Sequence, residues 1–167
     1  MANVKTLEDL FLDGVKDIYY AERKIVSALK KMIRGAQSQD LKAAFETHLQ
    51  ETEGQVERLV QVFELLGKPA RGKTCPAIDG IVEEGQEILE EFKDSPALDA
   101  GLLAAAQAVE LYDISRYGTL RNWARELGKE DVAQLLEATL AEEEKTDELL
   151  TQLADAKVNK KGKTKAA

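Results

Sequence analysis

Residues 103–124 of the chain read LAAAQAVELYDISRYGTLRNWA. Alternate steps of three and four through this stretch select Leu103, Ala106, Glu110, Asp113, Tyr117, Leu120 and Ala124. An α-helix gathers residues at that spacing on one face. No proline interrupts the run. The face is apolar at both ends, which marks it for burial, yet two adjacent central members are acids. The fold must therefore bury long helical seams, and something must meet the acids inside them.

Three further stretches carry the same period. Helix A runs from about Thr6, a candidate N-cap with Glu8 and Asp9 in the first turn, to Gly35. Its seam is Phe11, Val15, Ile18, Glu22, Ile25, Leu29 and Met32. Helix B starts near Ser38 and stops at Gly67-Lys68-Pro69, a glycine cap followed by a breaker. Its most apolar seam is Phe45, Leu49, Thr52, Val56, Leu59, Phe63 and Leu66. Helix C, which contains the opening stretch, starts near Ser95-Pro96, a capping residue and then proline at the first helical position, and runs to Gly128. Helix D runs from about Lys129 to Ala156, with the seam Leu136, Leu140, Glu143, Asp147, Leu150 and Ala154.

The A–B and C–D connections are only a few residues long, which makes each pair an antiparallel hairpin. The B–C connection, Lys68 to Asp94, is too long for that. Within it, Ala77 to Phe92 has its own amphipathic pattern. The expected fold is all-α: a four-helix bundle of two antiparallel hairpins joined by a long crossover containing a short fifth helix, the ferritin-like connectivity. Residues 1–156 form the expected bundle and 157–167 a lysine-rich tail.

The 167 residues suit one domain, and a 44% hydrophobic content excludes a disordered chain. The tail holds five lysines and no acid, leaving 18 basic against 31 acidic residues in the body, a charge of −13. A body this acidic argues against nucleic-acid binding. The N-terminus lacks the apolar core of a signal peptide, and no apolar run approaches a membrane span. With Cys75 the one cysteine, no intramolecular disulfide can form. A cytoplasmic protein without membrane partners is expected, and Cys75, beside Pro76 in the crossover, reads as incidental.

Glu22, Glu51, Glu110 and Glu143 each fall near the middle of their helix. In an antiparallel bundle these midpoints share one level. Asp113 and Asp147 lie on the same seams, and His48 lies about 40° from Thr52, inside the apolar arc of helix B. Glu51 lies at the edge of that arc. Two carboxylates ~5 Å apart repel by about 3 kcal/mol at an effective dielectric near 20. Total stability is only about 5–15 kcal/mol. Either several of the acids are protonated or cations neutralise them, and the seams contain no lysine or arginine.

The stretches Asp17-Ile18-Tyr19-Tyr20-Ala21-Glu22, His48-Leu49-Gln50-Glu51-Thr52, Val109-Glu110-Leu111-Tyr112-Asp113 with Tyr117-Gly118-Thr119-Leu120, and Thr139-Leu140-Ala141-Glu142-Glu143 with Thr146-Asp147 resemble the YciF/YciE family of the ferritin-like, rubrerythrin-related, di-iron carboxylate superfamily. The resemblance covers about residues 4 to 160. It implies two metal ions, iron first and manganese second, with Glu51 and Glu143 bridging and Glu22, Glu110, Asp113 and Asp147 terminal. His48 would be a ligand or a neighbour of one, and Tyr19 and Tyr117 would be outer hydrogen-bond donors. The superfamily's Glu-x-x-His pairs are incomplete: Gly54 follows Glu51 by three and Thr146 follows Glu143 by three. The resemblance further implies a homodimer in a stress response, reacting with peroxide or oxygen through an unidentified electron donor. The rival expectation is a non-enzymatic structural or interaction protein whose acids are protonated or hold a structural metal.

Overall fold

A computed structural model describes residues 3–163. α1 spans Leu7–Gly35, α2 Gln39–Leu65, α3 Pro76–Glu91, α4 Leu98–Glu126 and α5 Glu130–Leu153. Beyond α5 the chain widens into a π-type stretch, Ala154–Val158, and ends in α6, Asn159–Gly162. The observed architecture is the expected all-α bundle, with α3 as the fifth helix in the crossover. The lysine-rich segment stays helical to Gly162; Val158 is buried, and Lys157 Nζ lies 2.6 Å from Asp40. Residues 164–167 of the tail lie outside the described residues.

Local chemistry explains the helix ends. The Asp9 carboxylate accepts from the Thr6 N–H at 2.8 Å and from the Thr6 hydroxyl at 3.0 Å. Ser38 Oγ accepts the Leu41 N–H at the start of α2. Gly67, at φ +64°, ends α2, and the Lys68 N–H reaches back to the Phe63 carbonyl at 3.0 Å. Such a left-handed terminus strains any residue with a Cβ. α4 begins later than Ser95-Pro96 suggested. Ser95 and Pro96 instead form a turn closed by Leu98 N–H to the Ser95 carbonyl, a geometry that favours proline at the second position. The N-cap is Ala97, without a side-chain hydrogen bond.

α1 packs against α2 and α4, α5 packs against α2 and α4, and α3 lies across α1 and α4. Polar clamps fix their levels. Asp99, buried at the start of α4, accepts the Gln37 N–H through Oδ1 at 2.8 Å and the Ser38 N–H through Oδ2 at 2.7 Å. At the opposite end Lys129 Nζ lies 3.1 Å from Glu8. α1 is thus antiparallel to α4, and the Lys157–Asp40 pair sets α5 antiparallel to α2. The midpoints of all four helices coincide.

The seams expected on α1 and α4 are buried throughout. α2 differs. Its buried stripe is Leu41, Phe45, His48, Thr52, Gln55, Leu59, Val62 and Phe63. Leu49, Val56 and Leu66 are only half-buried. The helix is rotated toward its polar side, so that Leu49 pads the flank while His48 enters the core. On α5, Asp147 is half-exposed and Thr146 takes the buried position beside it.

Asp99 accepts two charge-assisted hydrogen bonds from backbone N–H groups at that turn. Asp99→Ala should lower unfolding free energy by about 2 kcal/mol in urea denaturation, since it strands two N–H groups at a helix start. Asp99→Asn, which keeps one acceptor, should lose less. Equal stability of all three chains would show that the clamp does not set the register.

Candidate metal centre

The rotation of α2 and the antiparallel register bring five buried donors together: Glu22 from α1, His48 from α2, Glu110 and Asp113 from α4, and Glu143 from α5. None is more than 2% exposed. They form two groups. His48, Glu110 and Glu143 each place a ligand atom within 4.8 Å of the others, and Glu22, Asp113 and Glu143 do the same. Glu143 belongs to both. His48 Nε2 lies 2.8 Å from Glu110 Oε1 and 3.8 Å from Glu143 Oε2. The ring nitrogen is not aligned for a hydrogen bond with either.

Glu22 Oε2, both nitrogens of His48, and both oxygens of Glu110, Asp113 and Glu143 have no hydrogen-bond partner among the described residues. Buried polar atoms are otherwise almost always paired. Each orphaned carboxylate oxygen, and one nitrogen of a neutral His48 ring, can donate an electron pair to a cation, and one protein hydroxyl is hydrogen-bonded into this layer. Tyr117, fully buried, donates its hydroxyl proton to Glu22 Oε1 at 2.5 Å. This donor set, mostly hard oxygen with one imidazole, fits iron or manganese. The residues present could hold a metal ion in either group, with Glu143 common to both.

Without cations, protons must carry the neutralisation. Burial pushes Glu22 up to about 8, aided by the charge of Glu143 and opposed by the Tyr117 hydrogen bond. Burial likewise raises Glu110 to about 8. Asp113 and Glu143 are held well above the usual carboxylate range, first by burial and then by neighbouring acids. Burial also raises the Tyr117 phenol well above its ordinary value, so it remains a donor.

The other candidates sit around this centre. Glu51 is half-buried and in neither group; its Oε2 accepts the Thr146 hydroxyl at 3.1 Å. Asp147 is also outside both groups and lies 3.5 Å from Gln107 Nε2. Tyr19 packs edge-on against Phe63 with ring centres 5.4 Å apart, and Arg23 lies over its outer face. It is a packing residue, whereas Tyr117 contacts the centre directly. Gly54 faces open space and cannot supply a side chain.

Sequence reasoning missed the polar wall beside the centre. Arg58 pairs with Glu142 at 2.9 Å and bonds the Thr139 hydroxyl at 2.7 Å; Gln55 Nε2 donates to Glu142 at 3.0 Å. Burial pushes Glu142 upward, but these hydrogen bonds outweigh it and hold the carboxyl below its usual range. The seven-residue step from His48 to Gln55 was the available signal, masked by the more apolar Leu49 and Val56. Cys75 is not incidental either. Its sulfur caps α3 by accepting the Ile78 N–H, and lies 3.0 Å from the Tyr112 hydroxyl, which donates to Asp17 at 2.6 Å.

The family described as Domain of unknown function (DUF892) matches residues 6–163. Protein YciF of Escherichia coli K12 is 44% identical over 165 residues, covering 98% of this chain and 99% of its own. The crystal structure of that stress protein superposes with a TM-score of 0.89, covering 94% of this chain and 99% of the other at 43% identity. YcfI from Rhodopseudomonas palustris, described provisionally as a structural protein, gives 0.86 at 48% identity, with 90% and 96% covered.

The raised carboxyls set the pH response of the metal-free chain. A group whose folded value exceeds its unfolded one binds more protons when folded, so its stabilisation is complete below the unfolded value and lost as pH rises through the folded one. For Glu22 and Glu110 that window runs from about 4.3, the ordinary glutamate value, to about 8. The urea midpoint of chelator-treated protein should fall steadily across it. A flat profile would mean that these acids are not buried without metal.

Proposed function

The chain belongs to the YciF-like DUF892 family, and from that premise we propose that it is a di-metal carboxylate protein, iron-binding first and manganese-binding second, that consumes peroxide or oxygen during stress. The observation that supports this reading is the pair of convergent, partnerless donor groups meeting at Glu143. A buried layer of this charge is stable only when protons or cations fill it, and the convergence of its unpartnered oxygens favours cations.

In this reading Glu22, Asp113 and Glu143 would hold one ion, and His48, Glu110 and Glu143 would hold the other. If bound there, a pair of redox metals would supply redox chemistry toward peroxide or oxygen, with an external electron donor returning the electrons spent. The chain's own residues hold and exclude. Tyr117 fixes the orientation of Glu22 through Oε1. The Arg58–Glu142–Gln55 wall keeps a permanent cation near the centre yet already paired, so that it does not displace the ions. The carboxyl protons held by burial leave to solvent as the ions bind, which makes affinity rise with pH. The stress setting follows the description of the Escherichia coli relative; a cytoplasmic homodimer is the form proposed.

A second reading rests on the same raised carboxyls: a structural protein in which the acids stay protonated and no ion is needed. Metal content of protein purified without chelator separates the two. Bound iron or manganese near two per chain, with a melting temperature that drops on chelation and recovers on re-addition, supports the first. At a hundredfold excess of ion over Kd the stabilisation is about 2.7 kcal/mol. Glu143→Ala should remove at least one ion per chain and leave the metal-free protein equally or more stable, while Glu144→Ala, on the exposed face, should change neither. Absence of metal together with an unchanged melt would favour the structural reading.

A further inference from the structure

A cleft of about 250 Å³ lies between α2 and α5, with Thr47, His48 and Glu51 on one wall and Lys145, Thr146 and Leu149 on the other. It touches the centre at His48, which lines the cleft, is otherwise buried, and has no partner for either nitrogen. The larger clefts around Tyr20 and Arg23 and around Lys5 and Asp13 contain none of the five donors. Glu51 stands one helical turn from His48 and is half-buried. Thr146, three residues after Glu143, occupies the place where a Glu-x-x-His pair would carry histidine. Its hydroxyl instead holds Glu51 Oε2 at 3.1 Å, away from both donor groups.

We propose that this cleft is the route by which a divalent cation enters the centre, and that Glu51 is the capture residue in its wall. The inference rests on the metal reading and extends it to the path of loading. A hydrated cation entering from solvent must exchange water for protein oxygen before it reaches a buried layer. Glu51 offers such an oxygen part-way between water and His48. A carboxylate between low-dielectric helix walls also concentrates field lines and speeds the arrival of cations. Lys145, exposed on the opposite wall, acts with the opposite sign. Thr146 keeps Glu51 in the wall, which separates the task of capture from that of holding.

The test is stopped-flow uptake of Co2+ by the metal-free full-length chain, followed by visible absorption, with Co2+ counted per chain at the end. Glu51→Gln retains an acceptor for Thr146 but loses the charge. Its uptake should be roughly tenfold slower at low ionic strength, near the lower end of steering effects, with the gap narrowing in salt and the final stoichiometry unchanged. Lys145→Gln should load faster than the parent chain. Glu144→Gln, exposed on another face of α5, should load at the parent rate. Loss of one ion per chain in Glu51→Gln would make Glu51 a ligand and overturn its capture role. An unchanged rate, or an equal slowing in Glu144→Gln, would overturn the route. If the parent chain takes up no Co2+, the metal reading fails and the route with it.

Discussion

Four carboxyl groups and an imidazole, all withdrawn from water at one level of a helical bundle, set the terms for the rest of this structure. Each ion costs several kcal/mol to desolvate and each close pair adds repulsion. A fold with only about 5–15 kcal/mol of net stability cannot carry that load unless protons or cations relieve it. The apolar turns on either side, Ile18 and Ile25 on α1 and Leu136 and Leu140 on α5, supply burial.

The centre depends on register as much as on residue type. A shift of one turn along any helix moves a donor by about 5.4 Å and breaks a constellation whose atoms lie within 4.8 Å. The polar contacts at the ends of the bundle guard against this. Asp99 ties the α1–α2 turn to the start of α4, and Lys129 and Lys157 bridge to Glu8 and Asp40. The crossover contributes through α3, which Cys75 caps and which covers the α1–α4 face. Exposed ion pairs are weak individually; the buried Asp99 clamp is the strongest of these restraints.

Helix B departs from the ferritin-like pattern in the residues it sends to the centre. The ferritin-like pattern expects Glu51 to bridge and a histidine three residues later. Here Gly54 cannot coordinate, and His48, one turn earlier, enters the centre instead. Glu51 is then released from the buried layer and is restrained by Thr146, itself at the other missing histidine position. The two departures form one rearrangement across the α2–α5 interface.

Much of this was legible in the residues alone. Periodicity identified four long helices and the crossover helix, short connections made two hairpins, and acids interrupting apolar seams exposed the centre. Glu22, Glu110, Asp113 and Glu143 stand where that reasoning placed them, because a helix in a bundle has one buried face and the seam defines it. The rotation of α2 was legible only in part: His48 lay inside the apolar arc, but the final angle was open. Leu49 and Val56 made one stripe more apolar, while His48 and Gln55 made the neighbouring stripe chemically competent, and the two differ by one residue. Only packing against α5 and the centre resolves such a near tie. The same limit applies to Asp147 and Thr146, adjacent residues of which one had to face inward. Sequence fixes a helix's face to within about a residue, or 100° of rotation; the final angle is decided by neighbours from other helices, whose contacts no local pattern contains.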